Sequence, residues 1–128
     1  FPCSPEFHLL GKGNGVNTTG NLCTPGTYIT LDGKVNKTHC MNSKRPTEPL
    51  DVWVKAEAEV RGGKLVKHLI NGEVVMEYTD LKLDESDANA KPLIEVQGNN
   101  DLTEGYISLQ SESHPVQFRN IEVQEITE

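Results

Sequence analysis

Long helices have little support in this chain: aromatic residues are only 5% of its 128 positions, while 11 Gly and 7 Pro favour frequent turns. Positive charge is also short, with 12 Lys and Arg against 19 Asp and Glu, a net charge of −7. Nucleic-acid and anionic-membrane surfaces reward an excess of cations, so neither is an expected partner. No apolar run approaches the roughly 20 residues that cross a bilayer, so membrane insertion is not expected. The longest fragments, Val74-Val75-Met76 and Pro92-Leu93-Ile94, suit strands or loops. No Gly-rich phosphate loop follows a strand, and neither His-Glu-x-x-His nor Gly-x-Ser-x-Gly occurs. The length suits one domain, residues 1–128. The chain opens at Phe1 rather than Met, which reads as a processed or truncated product.

What is present is a series of hairpin signals between β-rich runs. Asp32-Gly33 separates Thr27–Leu31 from Lys34–Thr38, Gly62-Gly63 separates Val52–Arg61 from Lys64–Ile70, and Asn71-Gly72 leads on to Glu73–Thr79. The last two turns define a three-stranded meander. Val52, Val54, Ala56, Ala58 and Val60 alternate with Trp53, Lys55, Glu57 and Glu59, the period of a half-buried strand. A two-residue turn at Gly62-Gly63 sets Val60 opposite Leu65 and Glu57 opposite His68. That last pair reads as an exposed cross-strand ion pair rather than a catalytic dyad. Further strands are expected near 4–10, 105–111 and 116–124. Asp84–Gly98 reads as a polar loop with at most one helical turn, which Pro92 would end. Short strands without helices indicate an all-β sandwich or barrel.

The three cysteines, Cys3, Cys23 and Cys40, match no zinc-site spacing. The register around Asp32-Gly33 sets Cys40 opposite Pro25, and one ladder irregularity brings it to Cys23. A Cys23–Cys40 disulfide in an oxidising compartment, periplasmic or extracellular, is therefore expected, with Cys3 left over. Three reduced core thiols are the alternative.

Candidate chemistry lies on polar strand faces. Glu6 and His8 alternate with Pro5, Phe7 and Leu9, and Gln110 and Glu112 lie on the polar side of the strand carrying Ile107 and Leu109. From alternation alone, an ordinary solvated sheet face is the favoured reading.

The run Gly105-Tyr-Ile-Ser-Leu-Gln-Ser-Glu-Ser-His-Pro-Val-Gln-Phe-Arg-Asn-Ile121 resembles the C-terminal signature of the 3-keto-disaccharide hydrolase domain family. Asp51–Val60, Ile70–Val75 and Ser4–Leu10 are similar to further stretches of that family. The resemblance implies a jelly-roll β-sandwich of the concanavalin A-like type. It also implies that this chain is the C-terminal part of a longer domain, lacking N-terminal strands that a further segment or another chain would supply. The implied substrate is a 3-keto-glycoside or 3-keto-disaccharide. A ketone at sugar carbon 3 acidifies the carbon-2 hydrogen, so a base can remove it while the glycosidic oxygen leaves, and water then adds.

By resemblance, Glu6 is the expected base, with Glu112 and His114 as the other catalytic residues. His8, Gln110, Arg119 and His39 are expected to bind substrate, and Lys44 and Arg45 are weaker candidates. A divalent cation is allowed for, without named ligands, and no other cofactor is expected. A noncatalytic carbohydrate-binding module is the alternative, since one fold serves both purposes. The scarcity of aromatics for sugar stacking leans towards the enzyme. A purely structural domain of a larger surface protein is the third reading.

Overall fold

The computed structural model describes residues 2–12 and 18–127; the single-domain expectation also spans Phe1, 13–17 and Glu128, which lie outside them. The chain is all-β, built as two antiparallel sheets packed face to face. One sheet has the order β1-β2-β5, from Glu6–His8, Asn21–Cys23 and Cys40–Met41. The other has the order β4-β3-β8-β7-β6, from Lys34–Asn36, Thr27–Leu31, Glu73–Leu83, Leu65–Ile70 and Ala56–Arg61. Leu22 and Met41 from the small sheet meet Ile29, Val66, Met76, Tyr78 and Leu81 from the large one. Burying each aliphatic side chain there is worth about 1.5–3 kcal/mol, which holds the layers together.

Two of the three expected turns form as read. Leu31 faces Lys34 across Asp32-Gly33, and Ile70 faces Glu73 across Asn71-Gly72, with all four turn residues at positive φ. That conformation matches the twist of the flanking strands and is why Asn/Asp-Gly occupies such turns. The third turn differs. Arg61 faces Leu65, so the loop holds three residues, Gly62, Gly63 and Lys64, rather than two. This shifts the register by one: Glu57 faces Leu69, and His68 faces Ala58. A one-residue slip moves every side chain to the other face. His68 is consequently 1% exposed and belongs to the core, not to a surface ion pair with Glu57.

The helix is a second correction. α1 spans Ala90–Gln97, and Pro92 sits in its first turn instead of ending it. The first N–H groups of a helix have no acceptor within it, so the missing Pro N–H costs nothing there. Gly98 closes the helix at φ 82, donating its N–H to Ile94 O.

The expected strands 105–111 and 116–124 make no ladder among the described residues. Leu102 donates to Leu81 O, and beyond it the described residues are exposed, with Ile107 81% accessible. The core-side face of β6 is likewise open: Ala56 and Ala58 are exposed and Val60 is 54% accessible. Alternation encodes which side chains share a face, but a strand also needs a neighbouring edge to pair with.

Candidate functional site

The small sheet positions the site. β1 and β2 pair as Glu6↔Cys23, Phe7↔Leu22 and His8↔Asn21, and β2 continues to β5 as Leu22↔Met41 and Cys23↔Cys40. Cross-strand partners share a face, so Phe7, Leu22 and Met41 turn inward while Glu6, His8, Asn21, Cys23 and Cys40 turn outward together. Phe7 stacks on the ring of His68 from the large sheet, centroids 4.1 Å apart, which anchors β1 from beneath.

On the outward face, His8 Nε2 lies 2.9 Å from Glu6 Oε2. An ionised carboxylate only accepts, so this bond places a proton on Nε2. His8 Nδ1 lies 3.7 Å from Cys23 Sγ. Cys23 and Cys40 form the expected disulfide, and Cys3 is unpaired. Thr24 ties the following segment in place, its backbone N–H donating to His39 O at 2.8 Å.

These groups line one cleft of about 230 Å³: Glu6, His8, Cys23, Pro25, His39, Cys40 and Glu112. Four of the seven residues selected from sequence therefore converge, Glu112 arriving from the distant C-terminal segment. The other three lie elsewhere along that segment. Gln110 is exposed outside the cleft lining. His114 donates from Nδ1 to Ser113 O at 2.7 Å, and the Arg119 guanidinium lies 3.9 Å over the Trp53 ring. Of the weaker candidates, Arg45 is held in ion pairs with Glu48 and Glu73, and Lys44 donates its backbone N–H to Val75 O. A larger recess near the end of α1, lined by Gln97, Asn99 and Asp101 to Glu104, gathers no such set of His and carboxylate groups.

Glu6, His8 and Cys23 bring one potential ligand atom each within 4.8 Å of one another. With Cys23 in a disulfide its sulfur offers no thiolate, so this trio presents a cation with one carboxylate and one imidazole.

One residue of the neighbourhood, Asn21, escaped sequence reading, and another, His68, was placed on the wrong face by it. Asn21 sits opposite His8, is 1% exposed, and its Oδ1 has no hydrogen-bond partner. The alternation Asn21-Leu22-Cys23 was its only signal, and three residues are too few to reveal a strand. His68 donates from Nδ1 to Gly20 O at 2.8 Å and accepts at Nε2 from Tyr78 Oη at 3.2 Å. Burial depresses its pKa to about 4, keeping the ring neutral, and burial likewise pushes the Tyr78 hydroxyl above its usual range.

Two antiparallel layers carrying a polar cleft on the outer face of the smaller one define a β-sandwich domain of the concanavalin A-like class. The chain belongs to the 3-keto-alpha-glucoside-1,2-lyase-like domain family, whose pattern it matches over residues 1–124. No curated protein and no solved structure matches it. No helix among the described residues is long and apolar enough to cross a membrane.

Proposed function

We propose that this domain cleaves 3-keto-glycosides or 3-keto-disaccharides by ketone-assisted elimination followed by hydration, with net hydrolysis. The observation that carries the reading is the cleft in which Glu6, His8, His39 and Glu112 converge, in a chain of this family. Glu6 takes the carbon-2 proton, and the electron pair forms the carbon 1–carbon 2 double bond as the glycosidic oxygen departs. Glu112 donates a proton to that oxygen from the other part of the cleft. Water then adds hydroxyl at carbon 1 and hydrogen at carbon 2. His8 holds the Glu6 carboxylate through its Nε2–H, leaving the other carboxylate oxygen for the substrate. His39, exposed at the rim, meets sugar hydroxyls.

Gln110, His114 and Arg119 enter this proposal through the C-terminal segment that delivers Glu112. In the same reading, residues 1–128 are the C-terminal part of a longer domain. Another chain or a further segment covers the open face of β6. The protein works in the periplasm or outside the cell, where the Cys23–Cys40 bond persists.

The test is release of aglycone from a 3-keto-glycoside, compared with the unoxidised glycoside. Turnover of the ketone alone is expected, because only the ketone acidifies carbon 2. Equal rates on both would reject the mechanism, and binding without turnover on either would favour a carbohydrate-binding module.

A further inference from the structure

We propose that the Cys23–Cys40 disulfide masks a metal site: once the bond is reduced, Cys23, Cys40 and His8 Nδ1 bind one Zn²⁺, with Glu6 as the carboxylate that orients His8. The inference concerns the reduced chain and does not depend on the sugar chemistry.

Three observations support it. First, the donor set is already assembled. Cys23 and Cys40 are directly opposite in the β2–β5 ladder, and Cys23 Sγ lies 3.7 Å from His8 Nδ1. With Zn–S near 2.3 Å and Zn–N near 2.0–2.1 Å, a tetrahedral zinc separates its sulfur and nitrogen ligands by about 3.6 Å. The present spacing therefore needs almost no adjustment on that edge. The two sulfurs must move apart from bonding distance, and the two-residue strand β5 at the edge of the small sheet is the element that can yield.

Second, the imidazole is oriented for metal binding. Its Nε2–H is engaged by Glu6 at 2.9 Å, which leaves the Nδ1 lone pair directed to the sulfur side. A carboxylate bound to the far nitrogen is the usual support of a metal-binding histidine, fixing its tautomer and raising its basicity.

Third, the cleft supplies access. Two thiolates and one imidazole leave a fourth position open to water, as in three-ligand zinc sites. The cleft that holds these ligands is lined also by His39 and Glu112.

The redox step balances with a dithiol reductant. Its thiolate attacks the sulfur of Cys40, the exposed member of the pair, and the S–S bond breaks with Cys23 leaving as thiolate. The second thiol of the reductant resolves the mixed disulfide, so the reductant ends as its own disulfide and the protein as two thiols. Zinc then displaces the two thiol protons.

The experiment compares Zn²⁺ and Co²⁺ binding to the full chain in its oxidised form and after reduction under anaerobic conditions. Competition with a chromophoric chelator reads the affinity, and the Co²⁺ spectrum reads the ligands. The reduced chain is expected to bind one Zn²⁺ at least about 10²-fold more tightly than the oxidised chain, with thiolate-to-cobalt charge-transfer bands and tetrahedral ligand-field bands. Glu6→Gln should weaken the site by about 10–100-fold, as loss of such an orienting carboxylate does. Cys3→Ser should leave the affinity unchanged, and Cys23→Ser/Cys40→Ser should lose both the binding and the charge-transfer bands. Adventitious coordination by an unfolded chain would be indifferent to Glu6, so equal affinity of the wild type and Glu6→Gln overturns the proposal. Equal affinity in both redox states, or loss of the folded near-ultraviolet circular dichroism on reduction, also overturns it.

Discussion

Phe7 and His68 lie ring on ring across the two sheets, 4.1 Å between centroids and 3° from parallel. Phe7 stands between Glu6 and His8 in β1, so the residue that faces inward onto His68 sets the level of the two that face the cleft. The site therefore rests on a buried histidine whose neutral state is part of the packing.

That neutrality gives a pH dependence of definite sign. The His68 pKa falls from 6.5 to about 4 on folding, because burial disfavours the charged ring. Below pH 6.5 the unfolded chain takes up a proton that the folded chain refuses, so stability falls as pH drops from 6.5 towards 4. The contribution lost by pH 4 is about 3 kcal/mol, at 1.36 kcal/mol per unit of pKa shift. Urea unfolding of the wild type and of His68→Leu across this range measures it. A wild-type curve no steeper than that of the variant would remove His68 as the cause.

The disulfide predicts a loss of stability when it is removed. Cys23 and Cys40 are 17 residues apart, and a link closing a loop of that size contributes about 2–4 kcal/mol. Thermal unfolding of Cys23→Ser/Cys40→Ser should show that loss, with no change in the Cys3→Ser control. An unchanged melting temperature in the double variant would assign the bond no structural role.

For catalysis, Glu6→Gln should lower turnover of a 3-keto-glycoside by about 10²-fold or more with KM little changed, since the amide keeps the shape but cannot take the proton. Glu112→Gln should reduce turnover most for poor leaving groups and least for a good one, such as a nitrophenol. Uniform loss across leaving groups would deny Glu112 the role of acid.

Gly20 offers a test of the packing behind the cleft. It sits at φ +85, and a Cβ there would meet Val75 Cγ2 at 2.8 Å and Ile70 Cγ1 at 3.1 Å. Gly20→Ala should cost about 1–3 kcal/mol through strain and crowding. The same change should displace the carbonyl that accepts from His68 Nδ1, visible as an altered imidazole chemical shift. A variant as stable as the wild type with an unmoved His68 resonance would contradict this account.

Much of the local structure was legible because it depends on few residues. Asp32-Gly33 and Asn71-Gly72 specify their turns through the positive φ that Gly, Asn and Asp tolerate, and the alternation read in Val52–Val60 reflects the two faces of a strand over Ala56–Arg61. The pairing of Glu6 with His8 was readable in the same way, as two polar residues of period two. The likeness of the C-terminal run to its family was carried by the sequence alone, and so was the choice of Glu112.

Tertiary structure decided what depends on the count of residues in a turn and on which edges meet. One extra residue after Arg61 carried His68 from the surface to the core, a change no propensity distinguishes because Gly-Gly accepts either loop. Pro92 could open or end a helix according to where Asn89 and Ala90 begin it. The two-residue strand β5, too short to show any pattern, brought Cys40 against Cys23, and the packing of the C-terminal segment brought Glu112 into one cleft with Glu6. The sequence by itself determined which side chains are polar, which turns are tight and which face of each strand alternates. The contacts that assemble the cleft join residues as far apart as Glu6 and Glu112, and such contacts form only when separately specified pieces pack on one core.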